Sequence, residues 1–525
     1  MKNLLRLFAF LVLLSTLQPV LGNGIVVNSV SLQGQNITNQ TWQVQFNLTW
    51  NNSWRDGVNY DAAWIVIKFR VNNGQWRHAT LRQVGFVTGT GTGTELRIAP
   101  DSIGAIANRN SSGAGTYAVT GMQLQWHYGV SGVLNTDLPQ VRVIAMEMVQ
   151  IPQGPFAIGD GNGSSESQSA LGVADNNYYV VTTELSPPLR ADGTFSTGNN
   201  ITRIDGDGGV DNDGDGVIDN TGFPVGYNSF FMMKYEITQE QYADFLSMII
   251  SSQAAARFMG QYNQFRNRIT LSGGSYFTDR PDRSCNFLSW MDGCAYADWA
   301  GLRPFTETEY EKACRGPIAP VLNELAWGST SISPPFNGTG QGNMLTVNGT
   351  EDGTEIASST ANNVYLMYGT SCWNTLYAND GTVVAGPVRV GLFAENGSTR
   401  STAGSSYYGV MDLSGNMSEQ MVCITNSTGR IFNGLHGNGV ITTGGSPGCA
   451  DVANWPGLSG GAVTGASGAG IKWTDNLTLV GGCSTGSLPG NNLSYQAISF
   501  RSQNESGQTG RSLFVGFRCA RTQWW

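Results

Sequence analysis

The sequence predicts an all-β, immunoglobulin-like sandwich followed by a larger domain with little regular secondary structure. Three observations predict it. Apolar and polar residues alternate repeatedly before Met148, at the two-residue period of half-buried strands. All eight cysteines lie between Cys285 and Cys519, so the front must rely on its own core. Helix start and stop signals gather between residues 238 and 317, and beyond them the chain is mostly Gly/Asn/Ser loop with scattered Trp and Cys.

Residues 1–22 read as a signal peptide. Lys2 and Arg6 accompany an apolar run over 4–17, and Val20-Leu21-Gly22 offers small residues for cleavage. The run is too short to span a bilayer, and no later segment reaches about 18 apolar residues. No cysteine follows it to take a bacterial lipid anchor. The expectation is a secreted, extracellular or bacterial-surface protein whose cysteines meet an oxidising environment.

Residues 23–146 form the expected sandwich. In 41–50, Trp42, Val44, Phe46, Leu48 and Trp50 alternate with polar residues, and 63–71, 117–128 and 140–148 behave similarly. The second domain is expected over 147–525, with a calcium loop inserted at about 203–222. There Asp211, Asp213, Asp215 and Asp219 occupy positions 1, 3, 5 and 9, with Gly216 at position 6 for the sharp turn. Four alternating carboxylates repel one another unless a cation with hard-oxygen preference sits among them. Position 12 is Gly222, so the loop is not a full EF-hand.

Three helices follow. Residues 238–250 place Tyr242, Phe245, Leu246 and Ile249 at helical spacing. Ser289 caps a second helix carrying Trp290, Cys294 and Trp299 and ending at Gly301. Thr306 and Glu309 make a capping box for the third, which Gly316-Pro317 terminates. The closing Gln523-Trp524-Trp525 is expected to dock, since two exposed tryptophans would be a solubility liability.

Composition excludes several functions. With 29 basic against 38 acidic residues, a net charge of −9 and no Lys/Arg stripe, neither nucleic acid nor an anionic membrane is an expected partner. His78, His127 and His436 are far apart in sequence, which disfavours a multi-histidine metal site.

Several motifs then carry a resemblance. They are Met148-Val149 with Ile151-Pro152, Gly154, Phe156 and Gly159; FMMKYEITQEQY at 231–242; SWMDGCAYADWAGLRPFTETEYEKACRG at 289–316; DLSGNMSE at 412–419; and Gly516-Phe517-Arg518-Cys519-Ala520. In this order they resemble the formylglycine-generating, or sulfatase-modifying factor, family. The resemblance implies an α+β variant of the C-type-lectin fold with structural calcium. It implies calcium binding by the Asp412 and Glu419 side chains and the Gly415 and Met417 carbonyls, with Asn343 a weaker match to a second site. It also implies a Cys294–Cys519 disulfide, displaced by one helical turn from the family's pairing.

The family's oxidases bind Cu(I) through two cysteines five residues apart, after a Gly-Gly-Ser. Here the matching stretch 481–490 reads GGCSTGSLPG: Cys483 replaces the Ser and the two catalytic positions hold no cysteine. No copper is therefore expected, Cys483 is only a weak catalytic candidate, and a structural disulfide is its favoured role. The leading expectation is an exported, calcium-stabilised, non-catalytic binding protein. Its ligand, a protein or glycan, would meet loops 484–515 through Asn491, Asn492, Ser494, Tyr495 and Asn504, residue types that similar retroelement-diversified lectin-fold proteins vary. The alternatives are a formylglycine-generating copper oxidase with a rearranged site and a scaffold of a bacterial envelope or motility apparatus.

Overall fold

The computed structural model describes residues 24–160, 178–185, 220–330, 387–394, 398–422, 429, 431–443, 447–456, 458–459, 462–463, 477–480, 497–499, 510–511, 513 and 515–525. These residues are mostly β, with five short helices among them. The front supplies β1 (Val26–Asn36), β2 (Thr41–Arg55), β3 (Asp61–Arg70), β4 (Arg77–His78), β5 (Thr90–Gly91), β6 (Thr94–Ile98), β7 (Gly104–Arg109), β8 (Gly113–His127) and β9 (Gln140–Ile151). One sheet runs β1-β2-β8-β5. Along β2 burial alternates as the sequence requires: Val44, Phe46, Leu48 and Trp50 are inside, and Gln43, Gln45, Asn47 and Thr49 are partly exposed. Facing them, Ala63, Ile65, Ile67 and Phe69 of β3 complete a core. Each buried Leu, Ile or Phe there contributes about 1.5–3 kcal/mol.

The strand β3 departs from the expected pattern. The sequence predicts alternation like that of β2, with one polar face, yet Asp61 to Phe69 are all buried. The reason is tertiary. Ala62, Trp64 and Val66 point the other way, into a second core built by the rear helices. Trp64 Nε1 donates to the Ala300 carbonyl at 2.8 Å, so even its polar atom is satisfied across that boundary.

The second sheet joins the two halves. Its order is β20-β12-β9-β3-β7-β6, with β4 on β3, where β12 is Phe230–Met233 and β20 is Ala520–Thr522. β9 pairs with β3 from Gln140↔Arg70 to Val149↔Asp61, and its end pairs with β12 from Met148↔Met233 to Ile151↔Phe230. The boundary expected at 146/147 therefore falls inside a continuous strand. The remaining pairs are small: β10 (Phe156–Ile158) with β11 (Tyr179–Val181), β13 (Thr270–Ser272) with β14 (Ser275–Phe277), and β16 (Leu458–Ser459) with β17 (Ala462–Val463). β15 (Ser418–Val422) lies between β18 (Leu477–Val480) and β19 (Val515–Gly516).

The helices are α1 (Gln239–Met248), α2 (Ser251–Arg257), α3 (Trp290–Trp299), α4 (Glu307–Arg315) and α5 (Arg400–Ala403). α1, α3 and α4 each begin with a two-way capping box, at Thr238/Gln241, Ser289/Asp292 and Thr306/Glu309. α4 ends at Gly316, whose φ of 69° suits glycine. α2 is an element the periodicity did not reveal. Gly293 sits mid-helix in α3 because the Phe517 ring packs on it: a Cβ there would come within 2.0 Å of that ring. Trp524 docks beside Trp64, while Trp525 stays 41% exposed under the Arg97 guanidinium.

Candidate functional site

The loop 412–419 enters the rear core as a chain of positive-φ turns. Asp412 has φ of 59°, Gly415 of 122° and Asn416 of 57°. A short polar side chain tolerates that region, which is why Asp and Asn stand there. Asp412 is buried and its Oδ2 accepts from the Gly391 amide at 2.6 Å. Asn416 donates through Nδ2 to Glu236 Oε2 at 2.7 Å and to Ser284 Oγ at 2.6 Å, and accepts from the Val388 amide. The Met417 amide donates to Glu236 Oε1 at 2.9 Å. Glu419, on β15, accepts from Arg518 Nε at 2.6 Å.

The structure thus brings three buried carboxylates, Glu236, Asp412 and Glu419, around Arg518. That guanidinium also donates to the Met233, Lys234 and Met411 carbonyls. Burial pushes the Glu236 carboxyl well up; Asp412 and Glu419 push it further, and Arg518 opposes them. Burial likewise raises Asp412 and Glu419. Glu419 Oε2 is buried without a hydrogen-bond partner. Sequence reasoning assigned no role to Glu236. Its signal was a carboxylate between apolar Tyr235 and Ile237 in a stretch that reads as core.

Among the described residues, no three His, Cys, Asp or Glu side chains converge closely enough to hold a metal ion by themselves. A cation at this loop would have to combine side-chain oxygens with main-chain carbonyls such as those of Gly415 and Met417. The partnerless Glu419 Oε2, and oxygen chemistry free of Cys and His, fit a hard cation of the calcium type. Asp211, Asp213, Asp215, Asp219 and Asn343 lie outside the described residues. So do Cys483 and the expected ligand-face residues Asn491, Asn492, Ser494, Tyr495 and Asn504.

The described cysteines are Cys285, Cys294, Cys314, Cys449 and Cys519. All five are buried free thiols, so the expected Cys294–Cys519 bridge is not formed in this structure. Burial pushes the Cys294 thiol up, and Cys519 and Cys449 are among the groups that raise it further, which places the three in one neighbourhood.

The second polar centre lies where the front meets the rear. Lys234, just past β12, is buried and reaches Glu147 Oε2 at 2.9 Å and Asp61 Oδ2 at 3.8 Å. Asp61 also accepts from Trp50 Nε1, Ser53 Oγ and the Trp54 amide. Burial pushes Glu147 up to about 7 against the pull of Lys234. Burial also works against the Lys234 charge, but Glu147, Tyr235 and Asp61 outweigh it and hold the ammonium above its ordinary range.

Comparison with known proteins bears directly on this architecture. Residues 191–523 match the sulfatase-modifying factor enzyme 1-like domain. The chain is 54% identical over 56 residues to a formylglycine-generating enzyme of Thermomonospora curvata, covering 11% of this chain and 18% of that protein. It is 38% identical over 104 residues to that of Streptomyces coelicolor, covering 19% and 32%, and 38% identical over 77 residues to that of Bos taurus, covering 14% and 20%. The matches thus span about a third or less of these relatives. The matched domain takes in the helix pair α3–α4, the 412–419 loop and the closing strand, and the chain belongs to the sulfatase-modifying factor family.

Proposed function

We propose that the chain is an exported, calcium-stabilised binding or cell-surface protein built on a sulfatase-modifying factor domain, without copper oxidase chemistry. The residues at the family's copper positions carry this reading. Where the family's oxidases carry a cysteine pair, 481–490 offers Cys483 alone. In this reading 1–22 is removed on export, an immunoglobulin-like sandwich runs on through β9 instead of ending at 146, and the family domain follows it. Loops 484–515 then meet a protein or glycan ligand, and Cys294 and Cys519 pair once the protein is outside the cell.

Peptide mapping of the secreted protein without reductant, together with Cu(I) titration, tests it. Cys483 in a bridge and no bound copper is the expected result. Cys483 and a second free thiol taking up Cu(I) together would overturn it. That outcome would favour the second reading, a formylglycine-generating oxidase acting on sulfatase cysteines, which the 54% identity to a protein of that name supports.

Calcium is tested separately, at loop 412–419 and at 211–219. A protein loaded at a hundredfold over its Kd should lose about 2.7 kcal/mol of stability when EGTA is added, and regain it with calcium. An unchanged melting temperature in EGTA removes calcium from the reading.

A further inference from the structure

A cavity of about 610 Å³ opens between the front sheet and the 398–411 segment of the rear. Its size is that of a small-ligand site. One wall is the end of β2 and the turn after it, with Asn52, Trp54 and Asp56; the other carries Tyr407 and Tyr408, with Lys234 and Tyr235 between. The walls are fixed to each other. Asn59 Nδ2 donates to the Gln150 carbonyl at 3.0 Å and to the Tyr408 carbonyl at 2.7 Å. Gly409, at φ of 91°, lies so close to Trp54 that a Cβ there would come within 2.7 Å of the indole.

The lining states what it can bind. Lys234 is paired with Glu147 and Asp61; Arg400 donates to the Cys314 and Ala326 carbonyls and keeps its charge, against which Asp56 sets a carboxylate on the same lining. The lining therefore offers little net charge to draw an anion. Seven of the 17 lining residues carry a hydroxyl. Trp54 Nε1 and the hydroxyls of Tyr235, Tyr407 and Tyr408 make no hydrogen bond to the described protein. Aromatic rings with neutral donors at their edges match a molecule with apolar C–H groups and many hydroxyls. We propose that this junction is a binding site for a neutral saccharide of about two sugar units. None of its lining residues belongs to 484–515, and the proposal stands whatever the thiols prove to do.

The test uses the full secreted chain with lactose, maltose and chitobiose, followed by calorimetry and saturation-transfer NMR. At least one disaccharide is expected to bind with Kd of about 1 mM or tighter. The double variant Tyr235→Phe/Tyr407→Phe removes only two partnerless hydroxyls, so it should keep the wild-type melting temperature. It should weaken that disaccharide about tenfold, the equivalent of about 1.4 kcal/mol. Trp54→Phe should weaken it further. Absence of binding by all three sugars overturns the proposal. So does binding that the double variant leaves unchanged, which would place the sugar elsewhere on the chain.

Discussion

Replacing Arg518 with methionine should cost about 3–5 kcal/mol, the range for removing one partner of a buried ion pair. The side chain is fully buried, and its guanidinium donates to Glu419 and to three main-chain carbonyls. Methionine fills similar volume but donates to none of those four acceptors, of which the Lys234 carbonyl keeps the Met411 amide, and it leaves Glu236, Asp412 and Glu419 buried together without their cation. Arg518→Lys should recover only part of the loss, because an ammonium cannot reproduce the planar fork. Urea unfolding measures both variants. A loss below about 1 kcal/mol for the methionine variant would show that Arg518 does not hold this cluster.

Lys234→Met should cost a similar amount, about 3–5 kcal/mol at neutral pH, by leaving Glu147 and Asp61 buried without their cation. The cost should depend on pH in a definite direction. Burial already raises Glu147 from 4.5 to about 7, so this group favours the folded state below 4.5 and loses that contribution as pH rises through about 7. Without Lys234 the carboxyl rises further. The variant's deficit should therefore be greatest near pH 8 and smallest near pH 4.5. The pair Lys234→Met/Glu147→Gln should recover much of the stability, since Asp61 keeps its Trp50, Ser53 and Trp54 donors. Thermal melts across that range decide it; a deficit that grows toward acid pH would refute the argument.

Both predictions rest on charges whose partners have no local signal. Glu236 and Lys234 lie in a stretch that the sequence presents as core, and only the fold shows which acid meets which base. The same holds for β3. Its residues suit a strand, but burial of both faces depends on the rear helices covering Trp64 and its neighbours. The expected boundary at 146/147 rested on the change of texture there, and nothing in the residues says that β9 continues through it to pair with β12.

What the sequence determined by itself was local or compositional: the alternation that makes β2 a half-buried strand, the caps at Thr238, Ser289 and Thr306, and the turn residues of 412–419. These need only a few consecutive residues, because their periods and hydrogen bonds close within one element. The family, too, was legible from ordered motifs. Tertiary structure alone decided that one sheet joins front to rear and that Arg518 faces three carboxylates. It alone set Trp54 opposite Tyr407 across a cavity. Those pairings join residues from tens to hundreds of positions apart, and no short-range pattern encodes which distant groups a chain will bury together.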